Sequence, residues 1–217
     1  MLKLSDIHFS YGETQVLKGI NLDVRKGEII SIVGASGAGK TTLLHILGTL
    51  EKAKSGNYLI NDKSVLNLNP NELSKFRNLE IGFIFQFHNL LIEFSAFENI
   101  CLPGYISESN KIEVEKRALE LLNILGISDK KDNKPNELSG GEQQRVAIAR
   151  ALINSPSIIL ADEPSGNLDS KNADNLHELI LKLNKELNQT FIIVTHNNEL
   201  AAMTDRTLKM VDGKFIQ

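Results

Sequence analysis

The stretch EIISIVGASGAGKTTLL, residues 28–44, restricts the fold of this chain more than any other part of its sequence. An apolar run, a glycine-rich loop and the start of a helix follow one another, and the loop satisfies the pattern G-x-x-x-x-G-K-[ST]. Glycines let such a loop curl so that successive N–H groups converge on phosphate oxygens. The stretch therefore predicts an α/β core in which a buried strand ends at a nucleotide phosphate site. The residues that we expect to contact nucleotide are Gly34, Ala35, Ser36, Gly37, Ala38, Gly39, Lys40, Thr41 and Thr42.

Two side chains of this loop have distinct predicted roles. Lys40 supplies a point charge to the β- and γ-phosphates, and the Thr41 hydroxyl can occupy a place on Mg²⁺. A phosphate loop alone is equally compatible with kinases, GTPases and motors, so other residues must decide the function.

Polar side chains follow three further strand-like runs, at the point where each run ends. Asp162 and Glu163 close SIILADE, His196 closes TFIIVTH, and Gln86 closes IGFIFQ. The carboxyl ends of parallel strands are where ligands bind in such sheets. We expect Asp162 to hold Mg²⁺ through water, and Glu163 to be the base that polarises the attacking water. The alternative for this pair is that the two carboxylates cap the following loop.

His196 and Gln86 complete the predicted reaction centre. His196 is expected to donate to the γ-phosphate and hold the attacking water in line, and the Gln86 amide to reach Mg²⁺ or water. Tyr11 either stacks on adenine or packs locally. The remaining histidines are predicted to be ordinary satisfied polar residues; they are His8, His45, His88 and His177.

The composition sets limits on other functions. The chain has 217 residues and a net charge of −3, so no general electrostatic attraction to nucleic acid is expected. The single cysteine, Cys101, excludes an internal disulfide and is expected to be a small buried residue. The N-terminus has no signal-peptide pattern, and no window approaches the roughly 20 apolar residues of a spanning helix. A cytosolic chain that meets membranes only through a partner is therefore expected.

The order of the segments predicts the domain organisation. Helical stripes occur at 114–125 and 176–187, and Asp212-Gly213 predicts a hairpin turn. We expect one domain over 1–217, with a nucleotide-binding core of mostly parallel sheet (1–86 and 156–217), an antiparallel β subdomain, and an inserted helical subdomain (87–155). The predicted strands are LKLSDIHF, INLDV, EIISIVG, NYLIN, IGFIF, SIILADE, TFIIVTH and RTLKMVDGKFIQ.

The stretch LSGGEQQR, residues 138–145, has the pattern of a helix start that faces an anion. Ser139 is a typical N-cap residue, and a helix N-terminus presents free N–H groups and partial positive charge. Yet the stretch contains no lysine and no strand directly precedes it. Its own surroundings therefore do not predict a nucleotide site.

Six motifs of this chain resemble those of the ATP-binding subunits of ABC transporters, and they occur in the family's order over essentially the whole chain. They are GASGAGKT, FQ at 85–86, LSGGEQQR, LADEP, SGNLD and VTH. The resemblance implies Mg-ATP hydrolysis and a homodimer in the ATP state. It also implies that LSGGE clamps the γ-phosphate bound by the other copy, and that a D-loop crosses the same interface. The residues concerned are Leu138, Ser139, Gly140, Gly141 and Glu142 for the clamp, and Asn167, Leu168 and Asp169 for the D-loop.

The stretch GFIFQFHNLLIEFSAFENI, residues 82–100, resembles the lipoprotein-releasing subfamily. That resemblance implies a peripheral subunit on the cytoplasmic face of the inner membrane, bound to a permease with a periplasmic domain, with no nucleic acid partner. The alternatives are a macrolide-efflux or cell-division ATPase, or a soluble ABC ATPase such as an Fe–S assembly factor. A small-molecule kinase has no use for LSGGEQQR. The expected permease-docking residues, about half of which are expected to be plain packing, are Phe87, His88, Leu90, Leu91, Phe94 and Phe97.

Overall fold

The computed structural model describes residues 1–216. The chain forms two compact units: Met1–Ser74 together with the chain from Asn184 onward, and Lys75–Leu183. These limits differ from the sequence-based division at 86/87 and 155/156, because two core strands group with the helices of the second unit. The division into a nucleotide-binding core and a helical insertion stays a prediction.

The first unit contains an antiparallel sheet of four strands in the order β2-β1-β4-β5. Strand β1 buries Leu2, Leu4, Ile7 and Phe9, as the apolar-polar pattern of the N-terminus predicts, but the alternation is interrupted by a register shift between Leu4 and Ile7, where Asp6 has a positive φ of 51°. This sheet confirms the predicted antiparallel part. Its strands are β1 (Leu2–Tyr11), β2 (Thr14–Val24), β4 (Ser55–Ile60) and β5 (Lys63–Ser64).

The first unit also contains the strand that leads into the glycine-rich loop. Strand β3 (Ile29–Val33) pairs in parallel with β8 (Thr190–Val194) on one side and β9 (Arg206–Val211) on the other. Every residue of β8 is buried, as expected for a strand covered on both faces. The predicted hairpin joins β9 to β10 (Lys214–Ile216), and Asp212 and Gly213 both have positive φ, of 44° and 77°. The last residue of that predicted run, Gln217, lies outside the described residues.

The second unit combines two parallel strands with helices. Strands β6 (Ile81–Phe85) and β7 (Ile158–Asp162) pair with Phe85 opposite Asp162. The predicted α/β fold class is therefore confirmed in its parallel strands, antiparallel sheet and helices. The helices of the chain are α1 (Lys40–Leu47), α2 (Pro70–Glu80), α3 (Ala96–Ile106), α4 (Lys111–Ile124), α5 (Gly140–Leu152), α6 (Ser170–Leu187) and α7 (Asn198–Ala202), with short 3-10 turns at Ser128–Lys130 and Pro135–Glu137.

The predicted helical stripes coincide with α4 and α6, except that Leu125 is the C-cap residue just beyond α4. The stripe at 114–125 is buried throughout, whereas the last predicted member of the other stripe, Leu187, lies in α6 but is only partly buried. Helix α2 and strand β5 were not predicted. Helix α2 has a short apolar stripe, Leu73, Phe76 and Leu79, of which only Phe76 is buried. The helix begins at a capping box in which Asn69 and Glu72 exchange hydrogen bonds.

Cys101 is buried in α3, which confirms that it packs as a small apolar residue, and burial raises the pKa of its thiol. None of the helices in residues 1–216 is both long and apolar enough to cross a bilayer.

Candidate nucleotide site

The glycine-rich loop joins β3 to α1 within the first unit, and its glycines are required by its geometry. Gly37 and Gly39 have φ of 79° and 103°, which side chains rarely adopt. A Cβ on Gly34 would lie 2.3 Å from the backbone oxygen of Met210 in β9. The loop therefore depends on glycine for backbone conformation at two positions and for close approach to a neighbouring strand at a third.

The start of α1 offers its N–H groups to a ligand. In the described chain no side chain caps this helix, and its first turn contains no acidic residue. The first amides of any helix have no partner within that helix, and here they carry the positive end of the helix dipole. Helices α3 and α5 differ, because Glu98 and Glu142 close capping boxes at their first turns. Among these three helices, α1 is therefore the one whose first amides are not capped by a side chain of its own.

Lys40 and His196 lie at the same edge of the first unit's parallel strands. The Lys40 ammonium donates to the backbone oxygens of Gly34 at 2.8 Å and Ala35 at 3.0 Å, which holds its charge against the loop. Because β3 and β8 are parallel, the segment after β8 follows the same edge as the loop after β3. There Thr195 is buried and His196 is exposed. This edge thus carries the uncapped N–H groups of α1, an ammonium and an imidazole.

Gln86, Asp162 and Glu163 follow paired strand ends in the second unit. The Gln86 and Asn167 side chains interlock: Gln86 Nε2 donates to Asn167 Oδ1 at 3.1 Å, and Asn167 Nδ2 donates to the Gln86 backbone oxygen at 3.0 Å. A Cβ on Gly166 would lie 2.8 Å from Gln86 Nε2, so glycine permits this contact. Glu163 has a φ of 45°, a strained value of the kind that clusters at functional sites.

The rest of the predicted D-loop is fixed by its own hydrogen bonds. The Leu168 amide donates to the Ser165 oxygen, and Asp169 Oδ1 accepts from the Asn172 amide at the start of α6. Ser165 Oγ contacts buried His177 at 3.2 Å, which confirms that His177 is a satisfied core histidine. Tyr11, in the first unit, is 49% exposed and packs edge-to-face on Phe9, so its ring remains accessible for stacking.

The LSGGE segment begins helix α5 as predicted. Ser139 is its N-cap and forms a capping box with Glu142. Leu138 is buried, while Ser139 and Gly140 are exposed. One turn into the helix, buried Gln144 donates from Nε2 to the Pro164 oxygen at 2.8 Å, so α5 is tied directly to the loop that follows Glu163.

The sequence did not single out Arg150, which anchors the segment after Gln86. Its guanidinium donates to the backbone oxygens of His88 at 2.7 Å and Asn89 at 2.6 Å. Both residues have positive φ, of 60° and 51°. An arginine inside the otherwise apolar VAIARAL run was the available signal. Asn99 was also missed; it is fully buried and bonds the backbone of Leu91, Phe94 and Ser95.

His88 corrects two predictions. Its ring is buried, so it cannot present itself to a docking partner, and its Nε2 has no hydrogen-bond partner in the described part of the chain. It is therefore not the fully satisfied histidine expected, and burial lowers its pKa, which favours the neutral ring.

Of the other docking candidates, Phe87, Leu91 and Phe94 are exposed, Leu90 and Phe97 are partly buried, and Ile92, which was not predicted, is 66% exposed.

Replacing Arg150 by Met is expected to lower the free energy of unfolding by about 2–3 kcal/mol, because two backbone oxygens lose a charged donor. Lys at this position should recover part of the loss, since one ammonium cannot match both oxygens as a planar fork does. Urea unfolding at constant m value measures both effects. Arg117→Lys, at a partly buried arginine of α4 that pairs with the Glu120 side chain and, within residues 1–216, with no backbone oxygen, is the control. A loss below 0.5 kcal/mol in Arg150→Met would show that the segment is held by other contacts.

Comparison with known proteins agrees with this geometry. The family model described as "ABC transporter" matches residues 17–166. The chain is 56% identical to the lipoprotein-releasing system ATP-binding protein LolD of Bacteroides thetaiotaomicron, covering 98% of each chain. It is also 56% identical to the LolD of Cytophaga hutchinsonii, over 100% of this chain and 99% of that one.

Among solved structures, the dimeric ATP-binding cassette MJ0796 in a post-hydrolysis state with ADP and Pi superposes with a TM-score of 0.88. It is 41% identical, and the match covers 100% of this chain and 97% of that one. The family match spans more than half of the chain and includes the phosphate loop, LSGGE and LADEP. This chain therefore belongs to the ATP-binding subunits of ABC transporters and is an ATPase.

Proposed function

We propose that this chain is the ATP-hydrolysing subunit of a membrane system that drives release of lipoproteins from the inner membrane towards the outer membrane. The observation that carries the proposal is the 56% identity, over nearly the full length of both chains, to proteins named for lipoprotein release. The exposed apolar segment after Gln86 supports it, because a motor subunit needs a surface for its membrane partner.

The residues present suit Mg-ATP. The open start of α1 and the Lys40 ammonium bind the phosphates. The proposed ligands of Mg²⁺ are the hydroxyl of Thr41, the amide oxygen of Gln86 and the carboxylate of Asp162. Residues 1–216 hold no group of three or more His, Cys, Asp and Glu side chains able to share a metal ion. Mg²⁺ binds through a few protein oxygen ligands when phosphate and water fill the rest of its coordination shell. In a nucleotide site it would neutralise charge on the phosphates.

Water attacks the γ-phosphorus of ATP, the bond from that phosphorus to the oxygen bridging to the β-phosphate breaks, and ADP and inorganic phosphate are the products. Glu163 polarises this water and takes its proton. His196, exposed at the end of β8, donates to the γ-phosphate and keeps the water in line. Gln86 and Asn167 are joined by two hydrogen bonds, so movement of one side chain displaces the other. These hydrogen bonds link the reaction centre to the D-loop.

Two copies form the working unit. The LSGGE segment of one copy clamps the γ-phosphate bound by the loop of the other, and Asn167, Leu168 and Asp169 line the same interface. The exposed positions of Ser139 and Gly140 support this arrangement, as does the dimeric state of the MJ0796 cassette. The dimer binds a permease with a periplasmic domain and stays peripheral, on the cytoplasmic face of the inner membrane.

Depletion of the chain in its own host tests the cargo. Lipoproteins destined for the outer membrane should accumulate in the inner-membrane fraction when the wild-type copy is withdrawn. Complementation with Lys40→Ala should not reverse this, whereas the wild type should. An unchanged lipoprotein distribution, with a defect in division or macrolide resistance instead, would contradict lipoprotein release.

Charge in the segment after Gln86 should uncouple the ATPase from its permease. Leu91→Asp is expected to weaken copurification with the permease at least tenfold, because a buried carboxylate at an apolar interface is costly. ATP binding should be unchanged. Leu119→Asp is the matched control, since Leu119 is 49% exposed on α4 and Leu91 is 45% exposed. Equal loss in both variants, or loss of ATP binding in Leu91→Asp, would contradict a docking role.

A further inference from the structure

A charged cluster lies at the start of α5, and the predicted site does not account for all of it. The cluster consists of Ser139, Glu142 and Lys130. Glu142 Oε2 accepts from the Ser139 amide and from the Ser139 hydroxyl, both at 2.8 Å. The Lys130 ammonium lies 3.5 Å from the other oxygen, Glu142 Oε1. One carboxylate therefore bridges the proposed phosphate clamp and a lysine from a preceding turn.

The carboxylate opposes the proposed role of Ser139 in two ways. A serine hydroxyl has one proton, and here that proton is donated to Glu142 rather than outward. A carboxylate one turn from a bound γ-phosphate also repels it, since like charges at this range interact appreciably at a protein surface. Hydrogen bonds from Ser139 lower the pKa of Glu142, so the carboxylate keeps its charge.

Lys130 is placed to offset both effects. It ends the 3-10 turn Ser128–Lys130, whose backbone is fixed by the hydrogen bond from the Lys130 amide to the Ile127 oxygen. Its ammonium also lies 3.6 Å from Asp129, but Glu142 is the larger influence and raises the pKa of Lys130. The next lysine, Lys131, pairs instead with Asp132 at 3.9 Å.

We propose that Lys130 is a positioning residue of the phosphate clamp: by pairing with Glu142 it offsets the charge of the carboxylate beside Ser139, which weakens both the hold of Glu142 on the Ser139 proton and its repulsion of a γ-phosphate bound by a second copy of this chain. The proposal rests on the two-copy site described under the proposed function. Lys130 acts through Glu142 and does not itself touch the nucleotide.

The measurement is ATP-driven dimerisation of the full chain carrying Glu163→Gln, followed by light scattering as Mg-ATP is titrated. Lys130→Met should raise the ATP concentration for half-dimerisation roughly tenfold, the size expected for loss of one partly screened charge. Lys130→Arg should restore the parent value. Lys131→Met, which removes a neighbouring lysine with a different partner, should leave it unchanged.

Glu142→Gln separates this role from a merely structural one. The amide oxygen can still accept from the Ser139 amide, so the cap is kept while the charge is removed. Adding Lys130→Met to Glu142→Gln should therefore have no further effect on dimerisation. If Lys130 only holds its turn in place, the defect should be the same with Gln at 142 as with Glu.

The outcomes distinguish the inference from the function beneath it. A parent that stays monomeric at saturating Mg-ATP contradicts the two-copy site itself. A parent that dimerises, with Lys130→Met equal to it or with a defect that persists beside Glu142→Gln, overturns the role of Lys130. A defect that disappears beside Glu142→Gln supports it.

Discussion

Glu163→Gln is expected to lower the rate of ATP hydrolysis by about 10²–10⁴-fold, the range typical of losing a positioned general base. Gln preserves the size of the side chain and much of its hydrogen bonding but cannot take a proton from water. Phosphate release under saturating Mg-ATP measures the rate. Glu178→Gln, at an exposed position on α6, removes a carboxylate elsewhere and should hydrolyse ATP at the wild-type rate.

The same variant should still bind Mg-ATP and accumulate as a dimer, because the bound nucleotide is not converted to product. Light scattering should show twice the monomer mass with ATP and the monomer mass with ADP. A Glu163→Gln protein that hydrolyses within threefold of the wild type, a change worth under about 1 kcal/mol, would remove Glu163 from the role of base. A monomer at saturating ATP would contradict the dimer.

The parts of the fold that were predictable are those that local sequence determines. Strand β8 is a continuous apolar run, and both its existence and its burial follow from that run. The hairpin at Asp212-Gly213 follows from the positive φ that both positions must adopt. The phosphate loop is similar, because its glycines, lysine and threonine are adjacent in sequence.

Helix α2 and Leu187 were beyond this kind of prediction for a physical reason. The apolar spacing of helix α2 is short, and only Phe76 of it is buried, so periodicity gives a weak signal there; the capping box of Asn69 and Glu72 marks the start of the helix instead. Leu187 continues the spacing of its helix, but it lies in the last turn, where partial exposure breaks the pattern. Periodicity indicates which face of a helix is apolar, not where the covering surface ends.

The site contacts that were missed join residues far apart in the chain. Arg150 meets His88 and Asn89 across about 60 positions, and the sequence gives no rule for such a pairing. Lys130 is one of several lysines in a polar loop, and only the structure distinguishes it from Lys131 by its partner. Motifs therefore predict which residue types serve the nucleotide, whereas the supporting contacts depend on tertiary structure.

The central claim is that LSGGE serves a phosphate bound by another copy of the chain, and mixed dimers should make this visible as a gain of function. Lys40→Ala disables the site to which a chain supplies the phosphate loop. Ser139→Arg disables the site to which it supplies the clamp, because the larger side chain fills the space for the γ-phosphate. Either variant alone has no intact site.

In a dimer of one Lys40→Ala chain and one Ser139→Arg chain, both changes fall in the same site. The other site keeps an intact Lys40 from one copy and an intact Ser139 from its partner. In the trans arrangement the clamp is expected to contribute charge-assisted hydrogen bonds of about 1.5–3 kcal/mol each, enough to retain nucleotide. Trapping by vanadate is preferable to turnover as the readout, because cooperation between two sites can keep turnover low in a half-intact dimer.

The decisive measurement is therefore the amount of nucleotide trapped by vanadate in purified mixed dimers carrying different affinity tags on the two chains. The trans arrangement predicts about one nucleotide per mixed dimer and almost none in either parent dimer, since each intact composite site holds one. If Ser139 instead served the Lys40 of its own chain, every site in the mixture would be damaged. Verified mixed dimers that trap no more nucleotide than the parents would contradict the shared site.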